Sequence, residues 1–131
     1  MMAFKLTNKF GIWGEQVAEA EYLKRGFVLV ARNIHNYKGK MLGEIDLVVR
    51  SSTELIFVEV KSRRGGQFGT AIESVSKAKQ RKLLKIVTWF CRAFPQYQKL
   101  QPRIDVCAIQ ANLDKSSVNV IIVPHAVTLD Y

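Results

Sequence analysis

Three charged side chains interrupt two runs of residues that otherwise read as core strands. Asp46 lies in Gly43-Glu44-Ile45-Asp46-Leu47-Val48-Val49, and twelve residues later come Glu59 and Lys61, within Leu55-Ile56-Phe57-Val58-Glu59-Val60-Lys61. Charges are seldom buried unless they are paired or bind a metal. Side chains on a strand alternate, so Glu59 and Lys61 share one face while Ile56, Val58 and Val60 share the other. A hairpin through Ser51-Ser52-Thr53-Glu54 that pairs Arg50 with Leu55 would set Val48 against Phe57 and Asp46 against Glu59. Directly opposed Cβ atoms lie roughly 5 Å apart. Two carboxylates that close repel unless a cation stands between them. Carboxylate oxygens are hard donors of the kind that hold Mg²⁺ or Mn²⁺.

A metal held there, with the Lys61 ammonium one pleat further on, suits phosphodiester hydrolysis: the ion stabilises charge on the phosphate and the lysine orients the attacking water. The competing reading is a salt-bridge cluster on a solvated sheet face, which is the commoner fate of charged strand residues. Glu15, beside a helical stripe with Ala18 and Tyr22, can hang over the sheet toward this spot. Glu19 and Glu21 show that exposed glutamates are ordinary on the same segment. In the assumed register Glu44 opposes Lys61 and holds it by an ion pair. Arg63, Arg64, Lys77, Arg81 and neighbouring lysines concentrate positive charge after the charged strands, as a rim that grips phosphate would. Gln80 lies inside this stretch, within reach of the site or turned to solvent.

The elements that would position these groups are legible in the pattern. Residues 8–24 read as a helix, with Phe10, Trp13, Val17 and Ala20 at helical spacing, Thr7 or Asn8 as cap and Gly26 as stop. Phe27 to Ile34 reads as a strand, Asn36 to Gly43 as a turn, and the two charged strands follow. Ser62 to Thr70 is a basic, glycine-rich loop. Ser74 or Ser76 opens a second helix that runs to about Phe94 with Leu83, Val87 and Phe90 on its apolar stripe. Pro95 and Pro102 bracket a loop, and Arg103 to Ile109 and Val118 to Val123 read as two further strands. The order α-β-β-β-α-β-β predicts an α/β fold: a mixed central sheet of about five strands flanked by helices. Trp13, Trp89, Phe90 and Phe94 read as core.

The 131 residues fit a single domain spanning 1–131. Twenty Lys and Arg against eleven Asp and Glu give a net charge of +9, a balance suited to nucleic acid and, second, to an anionic membrane surface. Apolar runs stop far short of the ~20 residues of a spanning helix, and the first residues lack the apolar core of a signal peptide, so the expected compartment is the cytoplasm. Cys91 and Cys107 sit among apolar residues and read as buried, reduced thiols.

The blocks Gly14-Glu15-Gln16-Val17-Ala18, Gly26 with Asn33, Gly43-Glu44-Ile45-Asp46-Leu47-Val48, Phe57-Val58-Glu59-Val60-Lys61-Ser62-Arg63, Phe68-Gly69 with Ala71, and Arg103-Ile104-Asp105-Val106 resemble the YraN family of small bacterial endonuclease-like proteins. More broadly, Asp46 followed by Glu59-Val60-Lys61 resembles the PD-(D/E)xK nuclease superfamily, with Ile45 where the superfamily's name has proline. The resemblance implies a restriction-endonuclease-like fold close to archaeal Holliday-junction resolvases. It implies that Asp46, Glu59 and the Val60 carbonyl bind Mg²⁺ or Mn²⁺, that Lys61 is the catalytic lysine, and that Glu15 assists at the metal directly or through water. The expected activity is endonucleolytic cleavage of DNA, including branched or repair intermediates, with Arg63, Arg64, Lys77, Gln80 and Arg81 on the nucleic acid. A homodimer would suit paired incisions, and no small-molecule cofactor is expected. Asp105 is assigned a structural role. Two alternatives stand beside this reading: a non-catalytic nucleic-acid-binding protein that keeps the fold, and a nuclease acting on RNA or single strands.

Overall fold

A computed structural model of the chain describes residues 9–37, 41–65 and 75–128. The expected caps Thr7 and Asn8, the loop residues 66–70 with Phe68 and Gly69, and Ala71 and Ser74 lie outside them. Helix α1 (Lys9–Lys24) leads into strands β1 (Val28–Tyr37), β2 (Met41–Arg50) and β3 (Glu54–Arg64). Helix α2 (Lys77–Ala93), a 3₁₀ turn (Pro95–Tyr97) and strands β4 (Gln101–Ala111) and β5 (Val118–Val127) follow. The predicted element order is the one observed.

The five strands form one sheet in sequence order, with β1–β2, β2–β3 and β4–β5 antiparallel and β3–β4 parallel. A parallel pair needs a long crossover, and α2 with its flanking turn lies within it. The polar hairpin register is the expected one, Arg50 against Leu55 and Val48 against Phe57. Ser51 Oγ accepts the Thr53 and Glu54 N–H groups, which fixes that turn.

A helix covers each face. Ile45, Val48, Leu55, Phe57, Ile104 and Val106 pack against Leu83, Ile86, Val87 and Phe90 of α2. Leu47, Val49, Ile56, Val58, Cys107 and Ile109 pack against Ala18 and Tyr22 of α1. The alternation of β3 between these layers follows from its period of two. Helix α1 buries Gly14, Ala18 and Tyr22, a stripe at i, i+4, i+8. That is narrower than the predicted stripe: Ala20 is exposed, and Phe10 and Trp13 are only partly covered. Ser76, rather than Ser74, caps α2, its side chain accepting the Lys79 N–H. The later strands are longer than predicted: β4 takes Pro102 into its opening, paired with Leu55, and runs to Ala111, and β5 runs to Val127.

Asp105 is fully buried on the α1 side of β4. It accepts from Tyr22 Oη at 2.8 Å, from the Arg103 guanidinium at 3.0 and 3.1 Å, and from the His125 N–H at 3.2 Å. Arg103 also meets Glu54 at 2.9 Å. The β4–β5 register shifts here, between Ile104 and Val106, and His125 takes φ 53°. A buried carboxylate with donors on every side is a structural pin, tying α1, β4 and β5 together. Tyr22→Phe removes one donor without changing shape and leaves Asp105 short of a partner. It is expected to lower the unfolding free energy by about 1–3 kcal/mol in urea denaturation, with the fold intact by circular dichroism.

Candidate functional site

The ladder between β2 and β3 ends at Leu47 and Val58, one pair before Asp46 would meet Glu59. The expected Asp46–Glu59 ladder pair is therefore absent, and the reason lies in β2 itself. Ile45 packs in the α2 layer with Val48, while Leu47 and Val49 pack in the α1 layer. Residues three apart share a face only where alternation breaks, so the strand turns at Asp46. Across from Asp46, between the pairs Arg32–Leu47 and Ile34–Ile45, stands Asn33 with φ 50°. Asparagine tolerates that left-handed backbone better than most residues. Irregularities of this kind re-aim side chains.

The result is a fork. With the ladder ended, the Asp46 carboxylate enters the gap, and its Oδ2 accepts the Val60 N–H at 2.8 Å. There Glu59 and Glu15 stand close enough to raise its pKa by their charge. Glu59 faces the α2 side and is only 4% exposed. Glu15 comes from α1 on the other side. Carboxylates from both layers thus meet in the opening between two strands.

The approach of α1 depends on Gly14. A Cβ there would lie 1.8 Å from Ser62 Oγ and 3.0 Å from Ser62 Cβ, so only glycine lets the helix rest on β3 and bring Glu15 over the fork. The other helix glutamates are occupied elsewhere. Glu19 takes a two-point contact from Arg32 at 2.6 and 2.8 Å, and Glu21 takes Arg25 at 2.8 Å. Beside the fork, Glu15, Glu19, Asn33 and Asp46 line a cleft of about 400 Å³ rimmed by Ile12 and Leu23.

Burial, Glu59 and Glu15 together push the Asp46 carboxyl up to about 8 from an ordinary 3.8, against the opposing pull of the Val60 N–H. Burial first, then Glu44 and Glu59, raises Glu15 as well. Among the described residues no group of three or more His, Cys, Asp or Glu side chains is arranged to hold a metal ion. The donor chemistry still fits Mg²⁺, which is commonly held by one or two carboxylates with waters completing its shell. Crowded, desolvated carboxylates are also the charge pattern that a divalent cation relieves.

Other expected site residues fall into place unevenly. Lys61 follows Glu59 on the α2 side, is partly buried and makes no ion pair among the described residues. Glu44 does not hold it: Glu44 is exposed and meets His35 Nδ1 at 3.5 Å. The cation on Glu59 is Lys79, with Nζ 3.2 Å from Oε2. Sequence reasoning placed Lys79 only in the general basic stretch, because nothing local links it to a strand far away in the chain. Gln80 donates its amide nitrogen to the Val75 carbonyl at 3.1 Å, a local cap on the helix entrance. Arg63, Arg64, Lys77 and Arg81 are exposed. Arg64 lies over the Phe10 ring at 4.5 Å and Lys115 over Trp13 at 4.8 Å, so Trp13 is a cation-bearing edge as well as a core contact. Cys107 is buried, which pushes its thiol up to about 12 and removes it as a nucleophile.

The raised Asp46 fixes the sign of a stability effect. Between about pH 4 and 8 the folded chain keeps a proton that the unfolded chain has released, so this carboxyl lowers stability as pH rises through that window. Asp46→Asn mimics the neutral acid and keeps an acceptor for the Val60 N–H. Its melting temperature is expected to match wild type near pH 4 and to exceed it increasingly toward pH 8. The gap should widen by at most about 1.4 kcal/mol per pH unit. Thermal melts across that range, in the presence of chelator, measure it.

Residues 14–109 match the family model described as uncharacterised protein family UPF0102. A UPF0102 protein of Syntrophotalea carbinolica is 40% identical over 108 residues, covering 82% of this chain and 84% of the relative. One from Acinetobacter baumannii is 39% identical over 101 residues, covering 77% and 73%. One from Roseiflexus castenholzii is 36% identical over 120 residues, covering 92% and 94%. The matched span begins at Gly14 and takes in Glu15, Asp46, Glu59, Lys61 and Asp105, and the chain belongs to UPF0102, the YraN family.

Proposed function

We propose that this chain is a Mg²⁺- or Mn²⁺-dependent endonuclease that hydrolyses phosphodiester bonds in DNA, with branched or repair intermediates as its substrates. The observation that carries the reading is Asp46 in the fork, taking the Val60 N–H at 2.8 Å and crowded by the charges of Glu59 and Glu15, with Lys61 two residues beyond Glu59. Desolvation raises a carboxyl in this way mostly at sites built for chemistry or for a cation. Asp46 and Glu59, with the Val60 carbonyl, would hold the metal. When bound, it supplies Lewis-acid stabilisation of the phosphate and lowers the pKa of water.

The chain's own groups supply the rest. Lys61, which makes no ion pair among the described residues, holds the attacking water and offsets charge on the phosphate. Glu15 orients that water from the α1 side. Arg63, Arg64, Lys77 and Arg81 grip the backbone, which carries affinity without sequence preference. The net charge of +9 fits a polyanionic substrate. A homodimer would place two such forks for paired incisions.

The test is cleavage of labelled four-way junction, flap, duplex and single-stranded DNA with Mg²⁺, Mn²⁺ or EDTA. Wild type is expected to give metal-dependent products. Asp46→Asn and Lys61→Ala are expected to lose about 10²-fold or more in rate while keeping DNA affinity within a few-fold. Products that survive EDTA, or variants that cut as wild type does, would sink the assignment. Binding without cleavage on every substrate would favour a non-catalytic nucleic-acid-binding protein.

A further inference from the structure

The ammonium of Lys79 sits 3.2 Å from Glu59 Oε2, on a carboxylate that is almost wholly buried. Its backbone is fixed: the Lys79 N–H is the one that Ser76 Oγ caps, so the residue stands in the first turn of α2. That turn carries no acidic residue, and a cation at a helix N-terminus opposes the helix dipole. Helix electrostatics therefore do not account for a lysine here; Glu59 does. The two partners differ in access to water. The Glu59 side chain is 5% exposed and that of Lys79 is 32% exposed, so the ammonium has a route out while the carboxylate has none. Helix α2 is held close at this end, since a Cβ on Gly43 of β2 would stand 3.3 Å from the Lys82 carbonyl. The backbone that carries Lys79 thus stays in place while its flexible side chain can swing.

We propose that Lys79 is a displaceable counter-ion that holds Glu59 through Oε2 and competes with the divalent cation for that carboxylate. An ammonium and a divalent ion on the same carboxylate repel each other, so each weakens the other's hold on Glu59. Metal entry is therefore easier with Lys79 swung out, and Lys79 tunes metal affinity as a positioning residue. This rests on the metal reading of the fork given above.

The test is Mn²⁺ affinity, read from the free-ion electron paramagnetic resonance signal during titration of wild type, Lys79→Met and Lys79→Arg, without DNA. Lys79→Met removes the competitor and is expected to lower the Mn²⁺ Kd about tenfold. Lys79→Arg offers a planar fork that holds a carboxylate more firmly and is expected to raise it by a similar factor. If Lys79→Met fails to fold with Glu59 left unpaired, Lys79→Arg alone decides. Equal Kd values across the folded proteins would overturn the competition while leaving the metal site standing. No Mn²⁺ binding by any of them would overturn both this inference and the metal-dependent activity.

Discussion

The crowding of carboxylates in a gap between two strands is the constraint on which the rest of this molecule depends. Asp46 stands between the nearly buried Glu59 and the half-buried Glu15, and it responds by holding a proton well into the neutral range. Such a cluster works against the fold, so the surrounding elements must over-determine it. The β2–β3 ladder ends to make room, and Asn33 takes a left-handed conformation across from Asp46. The Val60 N–H supplies a donor, and Lys79 supplies a charge to Glu59. On the other face, Gly14 removes the side chain that would hold Glu15 away.

A comparison within the same sheet shows why this cluster is not read as a structural network. Asp105 is more deeply buried than Asp46, yet it is surrounded by donors: the Tyr22 hydroxyl, the Arg103 guanidinium and the His125 N–H. Its charge is matched within the protein. Asp46 has a backbone N–H, and its side-chain neighbours are two further acids. One aspartate completes a closed set of partners. The other leaves negative charge that a cation can relieve. The bidentate Arg32–Glu19 contact makes the same point on the helix surface, where Glu19 is matched by a cation and, among the described residues, Glu15 is not.

Much of this was legible in the sequence. Period-two alternation on β3 correctly separated Glu59 and Lys61 from Ile56, Val58 and Val60, because both faces of that strand are covered and a slip would bury the wrong set. The Ser51–Glu54 turn set the hairpin register. The limit came where local pattern stops determining geometry. Strict alternation put Asp46 directly opposite Glu59 and Glu44 opposite Lys61, and the break in β2 at Asp46 undid both pairings. Only Asn33, across the sheet, hinted at it. Lys79 was missed for a different reason: its partner lies on another element, and a lysine in a run of lysines carries no mark of which one reaches a buried acid. The stripe on α1 was drawn too wide because Phe10 and Trp13 are large and apolar, whereas contact with the sheet is made by the small residues Gly14 and Ala18.

A divalent cation in the fork between β2 and β3 would be visible directly. Anomalous diffraction from crystals soaked in Mn²⁺ locates such an ion without reference to activity. An anomalous peak is expected between the carboxylates of Asp46 and Glu59, and none in crystals of Asp46→Asn. Mn²⁺ bound only elsewhere on the surface, with Asp46 still on the Val60 N–H and Lys79 still on Glu59, would contradict the proposed metal site.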